Sequence, residues 1–196
     1  APLTTFGVPA MAARLLTLEH LSQLPDMLAD PGFRAGPRLI LGGGSNLLFT
    51  RDYPGTVLRV ALRGIRVLAD DGEHMLVEAA AGENWHAFVR QTLALGAFGL
   101  ENLSLIPGTV GAAPVQNIGA YGVEAGDLID SVVCVDLASG EQHIVNGTEC
   151  AFGYRDSRFK HDWLDRRLIT AVRFRLSHRF TPRTGYGAIA AELASH

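Results

Sequence analysis

The stretch from Leu105 to Val123, reading LIPGTVGAAPVQNIGAYGV, carries glycines at 108, 111, 119 and 122, prolines at 107 and 114, and no charged residue. Surface loops are ordinarily polar and variable. An uncharged, glycine-rich, apolar loop instead reads as main chain pressed against something buried. Glycine lets backbone approach a ligand closely, and successive loop N–H groups cradle anions. A second stretch of this kind, LGGGSNLL from Leu41 to Leu48, lies upstream. Two such loops in one chain of 196 residues point to a bound cofactor that carries phosphates.

The upstream loop follows Arg38-Leu39-Ile40-Leu41, which reads as a buried strand. It is not the dinucleotide fingerprint, because Leu47 occupies the third glycine position, and it is not a P-loop, because no Gly-Lys-Ser/Thr follows. What remains is a turn whose amides, with the Ser45 and Asn46 side chains, suit a pyrophosphate. A tight strand-to-strand turn fits the spacing equally well.

The rest of the chain reads as an α+β protein. Glu19–Ala29 has leucines at helical spacing, interrupted by Pro25. Thr56–Leu62, Ile65–Ala69 and His74–Ala80 read as strands, the last entered from a turn at Asp70-Asp71-Gly72. Glu83–Leu95 is the best helix, with Trp85, Phe88, Val89, Leu93 and, roughly, Leu95 on its apolar side and Gly96 as a stop. Ser131–Leu137, Glu141–Val145 and Arg167–Leu176 read as strands, the first two joined through Ser139-Gly140. Strands surround one helix and then dominate, which favours α+β over regular βαβ winding.

Composition narrows the function classes. A net charge of −3 offers no electrostatic case for nucleic acid or an anionic membrane. No uninterrupted apolar run is long enough to span a bilayer. The seven histidines are scattered and no cysteine pair supports them, so no metal is expected. Cys134 and Cys150 make no disulfide framework, and a reducing cytoplasm fits. Gly-x-Ser-x-Gly is absent.

Four motifs occur in order: Gly42-Gly43-Gly44-Ser45-Asn46, Ile106 to Pro114, Gln116 to Gly122, and Phe152-Gly153-Tyr154-Arg155-Asp156-Ser157. With Gly82-Glu83-Asn84-Trp85 between them, they resemble the UDP-N-acetylenolpyruvoylglucosamine reductases, a family of flavoenzymes. The similarity runs from Thr5-Phe6-Gly7 to Thr184-Gly185-Tyr186-Gly187. It implies a two-part FAD-binding fold of the vanillyl-alcohol-oxidase-like type, a small N-terminal α/β unit plus a larger α+β unit. The boundary falls near Leu62–Gly64, giving FAD-binding subdomains at 1–63 and 64–196. It also implies a C-terminal substrate-binding part with a proton-donating serine and its partner glutamate. That part has no match here, so this chain alone is expected to be deficient in turnover.

The resemblance further implies site residues. Gly42, Gly43, Gly44, Ser45 and Asn46 would hold the FAD pyrophosphate. Ile106, Pro107, Gly108, Gly111, Ala112, Ala113, Ile118, Gly119, Gly122 and Ile169 would line the flavin. A stiff loop of backbone donors and acceptors suits an isoalloxazine, because fixed groups lose little entropy on binding. Gln116 and Asn117 suit either the flavin or internal bracing. Tyr121, Tyr154 and Tyr186 would meet a UDP-sugar enolpyruvyl substrate, with Tyr186 on a lid. Arg155 would be catalytic, its planar fork gripping the substrate carboxylate. NADPH would be the hydride donor, and the protein a monomer in the cytoplasm serving peptidoglycan synthesis. Lys160 and His161 read as solvated neighbours. Two other readings stay open: another FAD-linked oxidoreductase of the same fold, and a non-catalytic binding module.

Overall fold

The computed structural model describes residues 3–187 and 192. Every strand up to Val60 belongs to a three-stranded parallel sheet with order β1-β3-β2. Its members are β1 (Ala12–Leu18), β2 (Arg38–Leu41) and β3 (Tyr53–Val60). A five-stranded antiparallel sheet follows, in the order β4-β5-β10-β8-β9. It comprises β4 (Ile65–Asp70), β5 (His74–Ala80), β8 (Ile129–Asp136), β9 (Gln142–Asn146) and β10 (Arg167–Ser177). Between β5 and β8 in the chain, β6 (Gly119–Ala120) and β7 (Val123–Glu124) pair as a short hairpin at the end of the central loop. Mixed helix and sheet content of this kind is the expected α+β class.

The predicted helix over 19–29 breaks into pieces. A 3-10 turn at Leu21–Gln23 leads to α1 (Leu24–Ala29), and α2 (Pro31–Ala35) follows. Pro25 is the second residue of α1 and Pro31 opens α2, so neither helix begins more than one residue before its proline. Asp30 caps α2 by accepting from Phe33 N–H at 2.8 Å and grips Arg14 at 2.6 and 2.9 Å. The Arg14 hydrogen bond holds its carboxyl down at about 2. β1 was not expected from Leu15-Leu16-Thr17; it forms because it pairs in parallel with β3.

The main helix, α3 (Trp85–Ala94), is shorter by a residue or two at each end than expected, and Asn84 caps it. Its apolar face buries Trp85 and Phe88 against Phe174 of β10, with ring centroids 5.0 to 5.9 Å apart. Trp85 also donates its indole N–H to Leu103 O at 2.8 Å, so the ring is both packed and satisfied. The α3 cluster fixes the start of the helix, and the central loop docks there.

Candidate functional site

β2 and β3 are neighbours and run parallel, with Leu41 opposite Arg59. Adjacent parallel strands cannot be joined by a hairpin. The segment 42–52 must therefore carry the chain back to the start of β3, which removes the tight-turn reading of Gly42-Gly43-Gly44. The glycines leave the carboxyl end of a parallel strand, the usual position of a ligand site in such sheets.

The central loop meets them there. Trp85 N–H donates to Gly108 O at 3.1 Å, Val110 N–H to Glu83 O at 2.9 Å and Gly111 N–H to Ala81 O at 2.9 Å. The loop is thus stitched to the turn between β5 and α3. A side chain on Gly111 would put its Cβ 2.5 Å from that of Ala81, so glycine is required for this docking. On the other side, a Cβ on Gly43 would lie 3.0 Å from Gly108 Cα. The two glycine-rich loops therefore face each other nearly backbone to backbone.

Between them lies a cleft of about 480 Å³. Gly42, Gly43, Gly44, Ser45 and Asn46 line one side, and Ile106, Pro107, Gly108, Gly111, Ala112, Ala113 and Ile118 the other, with Ile169 and Arg155 also on its surface. Of the residues expected at a cofactor, Gly119 and Gly122 do not line it; they belong to the β6–β7 hairpin and its turn. Tyr121, Tyr154 and Tyr186 also lie outside the lining, all half or more exposed. Tyr121 and Tyr186 nevertheless meet each other edge to face, centroids 5.8 Å apart.

The Phe152–Ser157 segment is tied to the central loop at three points. Asn117 Nδ2 donates to Gly153 O at 2.9 Å, Ser157 Oγ to Val115 O at 2.8 Å, and Arg155 Nη2 to Gly119 O at 2.5 Å. Asn117 is buried and spends its whole amide on bracing. It also donates to Glu124 at 2.6 Å and accepts from Gly126 N–H at 2.8 Å. Of the two amides with open roles, Asn117 is thus the brace and Gln116 faces the cleft. Arg155 has φ +54°, a left-handed conformation costly for a side-chain-bearing residue. The turn closed by Gly153 and Asp156 holds it there, and Lys160 Nζ donates to Arg155 O at 3.0 Å. Asp156 pairs with His161 at 2.8 Å, which holds its carboxyl below the ordinary range.

Several lining residues were not anticipated from sequence. Thr109, Phe159, Trp163, Leu164 and Arg167 all reach the cleft. Trp163 is the informative one, a buried indole with the Arg158 and Arg167 guanidinium carbons 4.0 and 5.0 Å from its ring centre. A tryptophan within the charged run Lys160 to Arg167 was a usable signal, since such a residue needs a packed home. Both thiols are buried. Burial pushes Cys150 up to about 12 and Cys134 upward as well, so neither is a nucleophile near neutral pH. Among the described residues no group of three or more His, Cys, Asp or Glu could hold a metal ion, and no helix is long and apolar enough to cross a membrane.

Comparison with known proteins identifies the family and the fold. The family model described as "FAD binding domain" matches residues 12–146. The chain is 61% identical to the UDP-N-acetylenolpyruvoylglucosamine reductase of Chromobacterium violaceum, over 98% of this chain and 57% of that protein. It is 54% identical to the protein of the same name from Azoarcus sp., over 99% and 57%. The chain thus spans little more than half the length of these curated relatives. Among solved structures, UDP-N-acetylenolpyruvylglucosamine reductase (MurB) from Thermus caldophilus superposes with a TM-score of 0.73 at 28% identity, covering 98% of this chain and 65% of that one. A solvent-stable cholesterol oxidase shares the fold alone, with a TM-score of 0.56 at 16% identity over 85% of this chain and 35% of that one.

Proposed function

The chain belongs to the FAD-binding domain family and groups there with the UDP-N-acetylenolpyruvoylglucosamine reductases; on that premise we propose that it is the flavin-holding portion of such a reductase. The whole enzyme would convert a UDP-N-acetylglucosamine enolpyruvyl ether to UDP-N-acetylmuramate in peptidoglycan precursor synthesis. FAD, when bound, would supply the hydride transfer, recharged by NADPH. The observation that carries this reading is the apposition of two bare-backbone loops, Gly42–Asn46 and Ile106–Ala113, across an apolar cleft. At its glycines the two loops offer bare main chain to a diphosphate, and the apolar side chains around them suit a flat ring, so the group fits the cleft.

The chain's own residues would then divide the work. The Gly42–Asn46 backbone and the Ser45 and Asn46 side chains would hold the pyrophosphate. Ile106, Pro107, Ala113, Ile118 and Ile169 would press on the ring system and exclude water, with Gly119 and Gly122 shaping the adjoining hairpin. The 1–63 and 64–196 units would act as two subdomains closing on one cofactor. Arg155 would sit at the reacting end, where its guanidinium binds the substrate carboxylate and stabilises the charge that builds there as the double bond is reduced. Tyr121, Tyr154 and Tyr186 would bound the sugar-nucleotide. Two buried, unpaired thiols suit a reducing cytoplasm, and the protein would work as a monomer.

The test is a visible absorption spectrum of the purified chain before and after addition of FAD and desalting. Retained flavin bands are the expected result. A folded chain that stays colourless after FAD would overturn the cofactor reading for this polypeptide.

A further inference from the structure

Asn102 lies in the 3-10 turn Glu101–Leu103, next to the Leu103 carbonyl that accepts from the Trp85 indole. Its base is therefore pinned to α3 and the aromatic core. Its side-chain nitrogen donates to two carbonyls at once, Tyr121 O at 3.0 Å and Arg183 O at 2.9 Å. A carboxamide suits this arrangement, because its single nitrogen carries two N–H donors. The two segments it joins are distant in sequence, yet each carries a tyrosine, and those rings stack edge to face at 85°. Tyr121 has φ +51°, so its exposed ring is held on strained backbone that needs an external tie. Arg183 makes a second, longer link to Asp127 at 3.9 Å.

We propose that Asn102 is a positioning residue that clasps the Tyr121 turn to the Tyr186 segment, making the two rings a single wall for the sugar-nucleotide. The proposal rests on the reading that these tyrosines face the substrate. The clasp sets where the Tyr186 segment can close, and it adjoins Arg155, whose guanidinium bonds Gly119 O two residues before Tyr121. With Asn102 intact, Tyr186 approaches an already positioned partner ring. Without it, the two segments move independently and the wall must be assembled on binding, which weakens affinity.

The experiment uses the whole 196-residue chain with 3-fluorotyrosine at its four tyrosines, each fluorine signal assigned by a single Tyr→Phe variant. Asn102→Asp sets an oxygen against both carbonyls, and Asn102→Ser, too short to reach either, serves if the first fails to fold. In either variant the Tyr121 and Tyr186 signals are expected to move together toward the free-tyrosine position while Tyr53 stays fixed. Trypsin should cut after Arg183 about tenfold faster relative to Arg51, as two lost hydrogen bonds raise the open population. Titration with UDP-N-acetylglucosamine should shift the Tyr121 and Tyr186 signals in the wild type, at about fivefold lower concentration than in the variant, the equivalent of one hydrogen bond. Unchanged ring signals and cleavage in the variants would overturn the clasp. A wild-type chain whose tyrosine signals ignore UDP-N-acetylglucosamine would overturn the wall's role toward substrate. Flavin retention is read separately by absorption, so a chain that refuses FAD counts against the cofactor reading and not against Asn102.

Discussion

Asn117 shows how much of the central loop's shape can depend on one side chain that does not line the cleft. It is buried, adopts φ +43° and uses its amide three times, joining Glu124, Gly126 and Gly153. Asparagine tolerates the left-handed conformation better than most residues because its short amide bonds locally. Asn117→Ala removes all three bonds and leaves the Gly126 N–H and Gly153 carbonyl without this partner. Each such loss is worth about 1 kcal/mol, so the variant is expected to lose about 3 kcal/mol, read from the urea midpoint. The same change frees the Arg155 turn from its hinge at Gly153, so flavin retention should fall with it. A stable, flavin-retaining Asn117→Ala would mean that Ser157 and Arg155 alone hold the turn. Nothing in the string Gln-Asn distinguished the brace from the cleft-facing amide. That division depends on which residue the β6–β7 hairpin turns inward.

At the scale of elements, strands and stops were legible where local chemistry specifies them. Gly72, Gly96 and Gly140 all take positive φ, and the strands read around Gly72 and Gly140 and the helix read before Gly96 are present. β1 was not legible, because an exposed, alternating segment becomes a strand only through its register with β3. For the same reason Thr109, Phe159 and Trp163 entered the cleft unannounced: their positions are set by tertiary docking. One tertiary tie carries a pH signature. His178, just past β10, bonds Gly96 O at 3.1 Å beyond α3 and Asp70 at 2.9 Å at the end of β4. Both partners accept, so both ring nitrogens must donate, which only the imidazolium does. The Asp70 hydrogen bond raises the His178 pKa above 6.5, and the Gly72 N–H and His178 bonds lower that of Asp70 below 3.8. The histidine contribution is complete below 6.5 and is lost as pH rises through the raised value. The aspartate contribution is complete above 3.8 and is lost as pH falls through the depressed one. The gap in thermal midpoint between wild type and His178→Ala should therefore be widest from about pH 4.5 to 6 and shrink on the alkaline side. A gap independent of pH would show that the ring acts by packing.

At the scale of the whole molecule, the two larger sheets among the described residues are of unequal strength, and both border the glycine-lined cleft. The parallel sheet has only three strands, and β1 and β2 are both edges with half-exposed faces. Parallel sheets are ordinarily covered on both sides, and small ones are marginal alone. The antiparallel sheet has five strands and holds the aromatic core. A ligand gripped by both Gly42–Asn46 and Ile106–Ala113 would lend the weaker sheet the stability of the stronger, since anything that binds only the folded state stabilises it. At about a hundredfold excess over Kd the gain is about 2.7 kcal/mol. The gain should be uneven. In hydrogen exchange of the flavin-free chain, β1, β2 and β3 amides are expected to exchange well before those of β5, β8 and β10. Added FAD should slow β2, β3 and the 42–46 loop most, bringing both sheets toward one common opening. Gly43→Val separates this from general stabilisation. Its Cβ alone would meet Gly108 Cα at 3.0 Å, so the two loops must part. Overpacking of that size costs about 1 to 3 kcal/mol, equivalent to about five- to 150-fold in FAD affinity. The variant should keep the slow exchange of β5, β8 and β10 while losing the FAD-dependent protection of β2 and β3. If FAD instead protects both sheets equally in the wild type, the cofactor binds one sheet's fold as a unit, and the closure of two loops across the cleft is not what holds it.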